Sequence, residues 1–197
     1  MTSNSSNKIG HVAIIMDGNS RWARQRNLKT IEGHKQGVNR LRDIVKYSAK
    51  SEITHLSVFA FSTENWKRSA SDVSDLMKLF LQSIIKEVPE LIENKVQLNF
   101  IGDIPRFSKS LVSQINSAMK DTQAKKPNLN LNVAISYGGR WDILNAIKRI
   151  KDHKINTDKL SEDDFSNLLS TSDFPDPDLL IRTCLLYTSD AADDHHR

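Results

Sequence analysis

Five short runs crowd Val, Ile, Leu and Phe together with little alternation: His11–Asp17, His55–Phe61, Gln97–Gly102, Asn130–Tyr137 and Leu179–Thr183. Apolar runs of that length and texture predict strands buried on both faces, as a parallel sheet requires. Between them lie stretches of helical period, Gly33–Lys50, Ser71–Asn94, Ser108–Thr122, Trp141–Lys151 and Ser161–Leu169. Strand and helix alternate throughout, so the pattern predicts a single α/β domain with a mostly parallel central sheet flanked by helices. No repeat, linker or shift of composition divides positions 10–183. From Ser71 onward, Val73, Leu76, Met77, Phe80, Leu81, Ile84, Ile85, Val88, Leu91 and Ile92 recur at three- and four-residue spacing. That stripe fits ordinary core packing, and it equally fits one wall of an elongated apolar cavity. Pro89 lies within it and predicts a kink or break, because proline lacks the N–H and clashes with the preceding turn.

The ends differ from this pattern. Positions 1–10 are rich in Ser and Asn and are expected to be disordered, leaving a domain over 11–183. Positions 184–197 abandon the alternation, and are expected to be a tail foreign to the domain. Its Asp193, Asp194, His195 and His196 are then chance ligands rather than a metal site. The one cysteine, Cys184, excludes a disulfide framework and cysteine-based zinc motifs, which fits a reducing cytoplasm. The run Val12 to Met16 is too short for a signal core or a membrane span, so any membrane contact is expected to be peripheral. With 28 Lys and Arg against 24 Asp and Glu the net charge is +4, a mild preference for anions that does not support nucleic acid as a partner.

The candidate chemistry sits at strand ends. His11-Val-Ala-Ile-Ile-Met-Asp-Gly-Asn-Ser-Arg-Trp22 reads as a strand ending in Asp17, a turn, and the start of a helix. Such a turn presents free backbone N–H groups to an anion, Gly18 permits close approach, and Arg21 adds a forked cation. Asp17 either holds Mg²⁺ against phosphate oxygens or simply caps the helix. A second strand runs into Phe61-Ser-Thr-Glu-Asn-Trp-Lys-Arg68, a third into Ser136-Tyr-Gly-Gly-Arg-Trp-Asp142, and a fourth, Leu179-Leu-Ile-Arg-Thr183, ends beside Arg182. Arg21, Arg68 and Arg182 at three strand ends predict one cationic crevice suited to diphosphates. The Walker loop and the dinucleotide Gly-x-Gly-x-x-Gly pattern are both absent from the sequence.

Met16-Asp-Gly-Asn-Ser-Arg-Trp-Ala23, Gly33-His34-Lys35, Phe61-Ser-Thr-Glu-Asn-Trp66 with Arg68, Tyr137-Gly-Gly-Arg-Trp-Asp142 and Asp178-Leu-Leu-Ile-Arg-Thr183 stand in the order and spacing of the cis-prenyltransferases. The chain resembles isoprenyl transferases of the undecaprenyl-diphosphate-synthase type. The resemblance implies condensation of isopentenyl diphosphate onto an allylic diphosphate such as farnesyl diphosphate, with Mg²⁺ as cofactor, to make a cis-polyprenyl diphosphate. It implies that Asp17 positions Mg²⁺, that Gly18, Asn19, Ser20 and Arg21 cradle the allylic diphosphate with Arg68, and that Arg182 binds isopentenyl diphosphate. Trp22, His34, Ser62, Thr63, Glu64 and Trp66 would line the substrate site, and Asn65 would assist proton removal through water. It also implies a homodimer, and makes the stripe after Ser71 the wall of a tunnel for the growing chain, where the small Ala60 leaves room. Thr30 stands where close relatives carry an arginine. The family pattern beyond Thr183, with its Arg-x-Ser clamp and metal-binding glutamate, is not found, so this chain is expected to be C-terminally incomplete and of little activity. The alternative function is that of a non-catalytic partner subunit of a prenyltransferase.

Overall fold

The computed structural model describes residues 8–183, so the tail with Cys184 and its Asp and His residues lies outside the described residues, as do positions 1–7. In chain order the elements are β1 (His11–Ile15), α1 (Asn19–Arg24), α2 (Thr30–Ser48), β2 (His55–Ser62), α3 (Ala70–Glu93), β3 (Val96–Ile101), α4 (Lys109–Asp121), β4 (Leu129–Tyr137), α5 (Gly139–Asp152), α6 (Glu162–Ser166) and β5 (Leu179–Arg182). Short 3₁₀ turns at Thr63–Lys67, Ile104–Arg106 and Thr157–Lys159 complete them.

The five strands form one sheet in the order β3-β4-β2-β1-β5, every neighbouring pair parallel. Interior strand β4 is nearly continuous in burial, with Leu129, Leu131, Val133 and Ile135 in the core and the polar Asn132 and Ser136 buried among them. Edge strand β5 corrects the expectation of strands buried on both faces. Leu179, Leu180 and Ile181 are all exposed, because nothing among the described residues covers that edge. Strands β2 and β5 flank β1, so three carboxyl ends lie side by side around the segment that follows β1, and open parallel sheets bind ligands outside the carboxyl ends of their strands.

Two helices depart from the sequence pattern. Helix α2 begins at Thr30 rather than Gly33, since Gly33 is a packing position inside it. Helix α3 runs from Ala70 to Glu93 without a break at Pro89. The proline falls in the last turns, and Ile84 and Leu91 anchor the helix to the core on either side of it. The stripe on α3 also divides. Phe80, Ile84 and Leu91 face inward over the sheet, while Ile85 and Ile92 are exposed.

Buried Asp142 fastens the far side of the domain. It accepts hydrogen bonds from Tyr137 Oη (3.1 Å), from the Ser170 N–H (3.0 Å) and from Ser170 Oγ. Burial, with the neighbouring carboxylate, pushes the Tyr137 phenol up to about 12. The Tyr-Gly-Gly-Arg-Trp-Asp motif therefore works here as a structural tie between β4, α5 and the loop at Ser170.

Candidate active site

Asp17 follows β1, and the carboxyl ends of the neighbouring strands converge on it. Gly18 adopts φ 92°, a left-handed conformation that turns the chain straight into α1 and favours glycine. Asp17 Oδ1 accepts the Gly18 N–H at 2.6 Å, and Oδ2 pairs with Arg182 of β5 at 3.2 Å. Thr183 locks the two segments together: its Oγ1 accepts the Asp17 N–H (2.9 Å) and its N–H donates to the Ile15 carbonyl (3.0 Å). The Asp17 side chain still keeps 34% of its surface exposed, toward an open crevice.

That crevice is lined by Met16, the Asp17–Arg21 turn, Arg24, Thr30, His34, Arg68 and Asp72. Arg21 Nη1 is buried there with no hydrogen-bond partner. A buried guanidinium nitrogen left bare is costly unless a ligand completes it, and an anionic oxygen is the natural complement. Burial and the nearby Arg68 hold His34 below the ordinary histidine range, with Asp72 opposing them, so its imidazole is neutral at neutral pH. Its Nε2 lies 3.4 Å from Ser20 Oγ.

Met16 also lines a second space, between α2, α3 and the sheet. This cavity has a volume of about 140 Å³, and its walls are almost wholly apolar: Val38, Leu41 and Val45 from α2, Phe80, Ile84 and Leu91 from α3, and Ala60, Leu98, Leu131 and Val133 from the sheet. Both helices start at the crevice and run down over the sheet, so the cavity is elongated away from the cations. An apolar cavity lies where the stripe is expected to wall a tunnel, and Ala60 is among its lining residues. A polar head site adjoining an apolar trough fits an amphiphile with a diphosphate at one end.

The structure does not gather every expected residue there. Trp22 lies on the other flank of α1, under the Arg26 guanidinium at 4.4 Å, in a neighbouring depression with Gly33, Gly37 and Leu41. Ser62 and Asn65 form a reciprocal cap on the 3₁₀ turn: Asn65 Oδ1 accepts the Ser62 N–H (2.9 Å) and Ser62 Oγ accepts the Asn65 N–H (3.2 Å). Asn65 thus helps build the turn, and its amide N–H groups and the second lone pair of its Oδ1 remain to offer. Trp66 donates to Ser136 Oγ (2.9 Å) and packs on Phe61 and Phe107 with Arg106 over its ring. It anchors the turn carrying Arg68 to the core and is not among the residues that line the crevice. Thr63 packs against Gly138 and Glu64 is exposed; neither lines the crevice.

Sequence reasoning passed over Arg24 and Asp72, which line the crevice, and Gly33 and Gly37, which shape it. The four-residue spacing of these glycines puts them on one helix face, and that spacing was the available signal. A Cβ on Gly33 would lie 2.0 Å from the Asn19 carbonyl oxygen, and one on Gly37 would lie 2.8 Å from the Asn19 amide. Small residues on α2 are what let the phosphate-cradle turn sit against it.

Comparison with known proteins agrees with this geometry. The family model described as "Putative undecaprenyl diphosphate synthase" matches residues 15–185. The chain belongs to this family. It is 45% identical over 88% of its length to a ditrans,polycis-undecaprenyl-diphosphate synthase ((2E,6E)-farnesyl-diphosphate specific) of Coxiella burnetii, spanning 74% of that protein. It is 44% identical, again over 88% of its length, to an isoprenyl transferase of Neisseria meningitidis, spanning 68% of that one. Among solved structures, a lavandulyl diphosphate synthase from Lavandula x intermedia, in complex with dimethylallyl diphosphate, superposes with a TM-score of 0.83 at 34% identity. That match covers 88% of this chain and 77% of the other. A probable undecaprenyl diphosphate synthase from Campylobacter jejuni gives 0.72 at 29% identity, covering 93% and 80%. The chain is thus an isoprenyl transferase by family, with that family's α/β fold.

Proposed function

We propose that this chain condenses isopentenyl diphosphate with an allylic diphosphate such as farnesyl diphosphate, forming a cis-polyprenyl diphosphate. The observation that carries the reading is the junction at Met16: a crevice with a buried, unpartnered Arg21 nitrogen opens directly onto an elongated apolar cavity. The allylic diphosphate lies on the Gly18–Arg21 turn and Arg68, with its hydrocarbon directed into the cavity. Each added unit moves more apolar surface out of water, at roughly 0.8 kcal/mol per CH₂. Arg182, held beside Asp17, is placed to take the second diphosphate. Condensation breaks the allylic C–O bond and forms one C–C bond, releasing diphosphate and a proton.

Asp17 fits Mg²⁺ by its donor chemistry. Mg²⁺ keeps several waters and takes one or two carboxylates plus substrate phosphates, so one crevice carboxylate beside a diphosphate suffices. Among the described residues no cluster of three acidic, His or Cys groups forms an all-protein cage. When bound, the ion supplies charge neutralisation on the departing diphosphate. Arg21 and Arg68 add fixed positive charge where negative charge grows. Asn65, whose amide is a poor base, orients a water through its remaining hydrogen-bonding groups and so assists the departing proton only through that water.

No helix among the described residues is long and apolar enough to cross a membrane. The reading carries a cytoplasmic location, release of product by peripheral membrane contact, and a homodimer. Exposed Ile143, Leu144 and Ile147 on α5 and the bare β5 edge support an interface. The direct test supplies both diphosphates with Mg²⁺ and follows labelled isopentenyl groups into extractable product. Tight allylic binding with no product at any enzyme concentration would favour the non-catalytic subunit instead.

His34 gives the binding step a pH signature. Its free imidazole is held below the usual range, and an arriving diphosphate raises its proton affinity, so binding takes up a proton. Inorganic diphosphate should therefore bind more tightly as pH falls from 8 toward 6, with proton uptake visible as a buffer-dependent heat. In His34→Gln that dependence should flatten. An unchanged buffer dependence in the variant would remove His34 from the site.

A further inference from the structure

Two ion pairs cross between α2 and α3 in the wall of the apolar cavity. Arg42 Nε donates to Glu87 Oε2 at 2.6 Å while its Nη2 meets Oε1, a bidentate clamp. Lys46 Nζ lies 2.6 Å from Glu90 Oε1, one turn further down. All four side chains line the cavity, among residues otherwise almost wholly apolar. The first pair is mostly buried, with side-chain exposures of 24% and 20%, and the second is about twice as exposed.

Their place along the helices matters. Arg42 lies about 14 Å along α2 from Gly33, and Glu87 about 22 Å along α3 from Asp72, both far from the diphosphate crevice. These long side chains bridge α2 and α3 across the seam. Methylene stems then face the apolar interior while the charged heads sit at the seam. A seam of this kind parts differently from an apolar one. If Leu or Met closed it, opening would expose hydrocarbon to water, whereas these heads exchange one another for hydration at small net cost.

We propose that Arg42–Glu87 and Lys46–Glu90 form a releasable clasp along the α2–α3 seam, which retains a long apolar chain in the cavity and sets how readily it leaves. The inference rests on the reading that the cavity takes the prenyl chain. It assigns these four residues to product retention, apart from the diphosphate chemistry.

The test measures dissociation of two fluorescent prenyl diphosphates into detergent micelles by stopped flow, one short enough to end above Arg42 and one long enough to pass it. The proteins compared are the unaltered chain, Glu87→Gln with Glu90→Gln, and the exchanged pair Arg42→Glu with Glu87→Arg. The double glutamine variant should release the long chain about five-fold faster, the size expected for losing such pairs. Short-chain release should stay within about two-fold. The exchanged pair, which keeps one bridge of opposite charge, should return the long-chain rate toward that of the unaltered protein, and it also guards against a folding defect in the glutamine variant. Equal acceleration of both ligands would mean general loosening and would overturn the clasp, as would unchanged release of the long chain beside normal short-chain binding. Failure of the unaltered chain to bind the short diphosphate at all would count against the functional reading itself, and the clasp would fall with it.

Discussion

Asp17→Asn should lower condensation by a factor on the order of 10²–10³ while leaving the domain folded. The substitution is nearly isosteric and isolates charge from shape. Asp17 Oδ1 caps the Gly18 N–H, and an asparagine oxygen can do the same, so the left-handed turn into α1 survives. What disappears is the negative charge facing the crevice, with its pairing to Arg182 and its capacity to hold Mg²⁺ against a diphosphate. That ion pair is partly exposed, so its loss should cost only about 0.2–1 kcal/mol and move the melting temperature by a few degrees. Asp17→Ala is the less informative variant, since it also strips the cap from the turn. Initial rates of labelled product with saturating Mg²⁺, beside a thermal melt, decide the matter. A rate within about three-fold of the unaltered chain would falsify the role given to this carboxylate.

The strands and the long helices were legible because their signal is summed over many residues. Asn130–Tyr137 reads as a strand buried on both faces, and Leu129–Tyr137 is one. Local chemistry was legible too where backbone geometry forces a residue type, as at Gly18. The sequence was silent where a side chain's role depends on what it meets across the fold. Trp66, in a motif beside reactive-looking neighbours, resembles a site residue, yet Ser136 and Phe107, distant in sequence, turn it into the core. Likewise, nothing in the sequence shows that Asn65 shares a reciprocal cap with Ser62. Arg42 and Glu87 carry no signal in the sequence, and only the packing of α2 beside α3 pairs them in a cavity wall. Pro89 misled for a related reason: proline's cost is fixed, but whether it breaks a helix depends on the packing that holds both sides.

Gly33 concentrates that dependence in one atom. An added Cβ would stand 2.0 Å from the Asn19 carbonyl oxygen and 2.8 Å from its carbon, both backbone atoms. No rotamer change relieves such a contact, so α1 must move away from α2. Gly33→Ala should therefore cost about 1–3 kcal/mol in stability, in the range of overpacked cores. Alanine's better helix propensity returns at most about 1 kcal/mol. The functional effect should be the larger one. Asn19 belongs to the turn proposed to cradle the diphosphate, and displacing a positioning element by about 1 Å costs on the order of 10²-fold in rate. Gly139→Ala supplies the matched control, since nothing lies within 4 Å of a Cβ there and the residue opens α5 in a backbone conformation that any side chain accepts. It should leave turnover unchanged and stabilise the domain by up to about 1 kcal/mol, through the smaller entropy of its unfolded chain. Equal melting temperatures and equal rates for the two variants would mean that α1 can slide on α2 without disturbing the cradle. The tight seat of Asn19 against Gly33 would then have no bearing on catalysis.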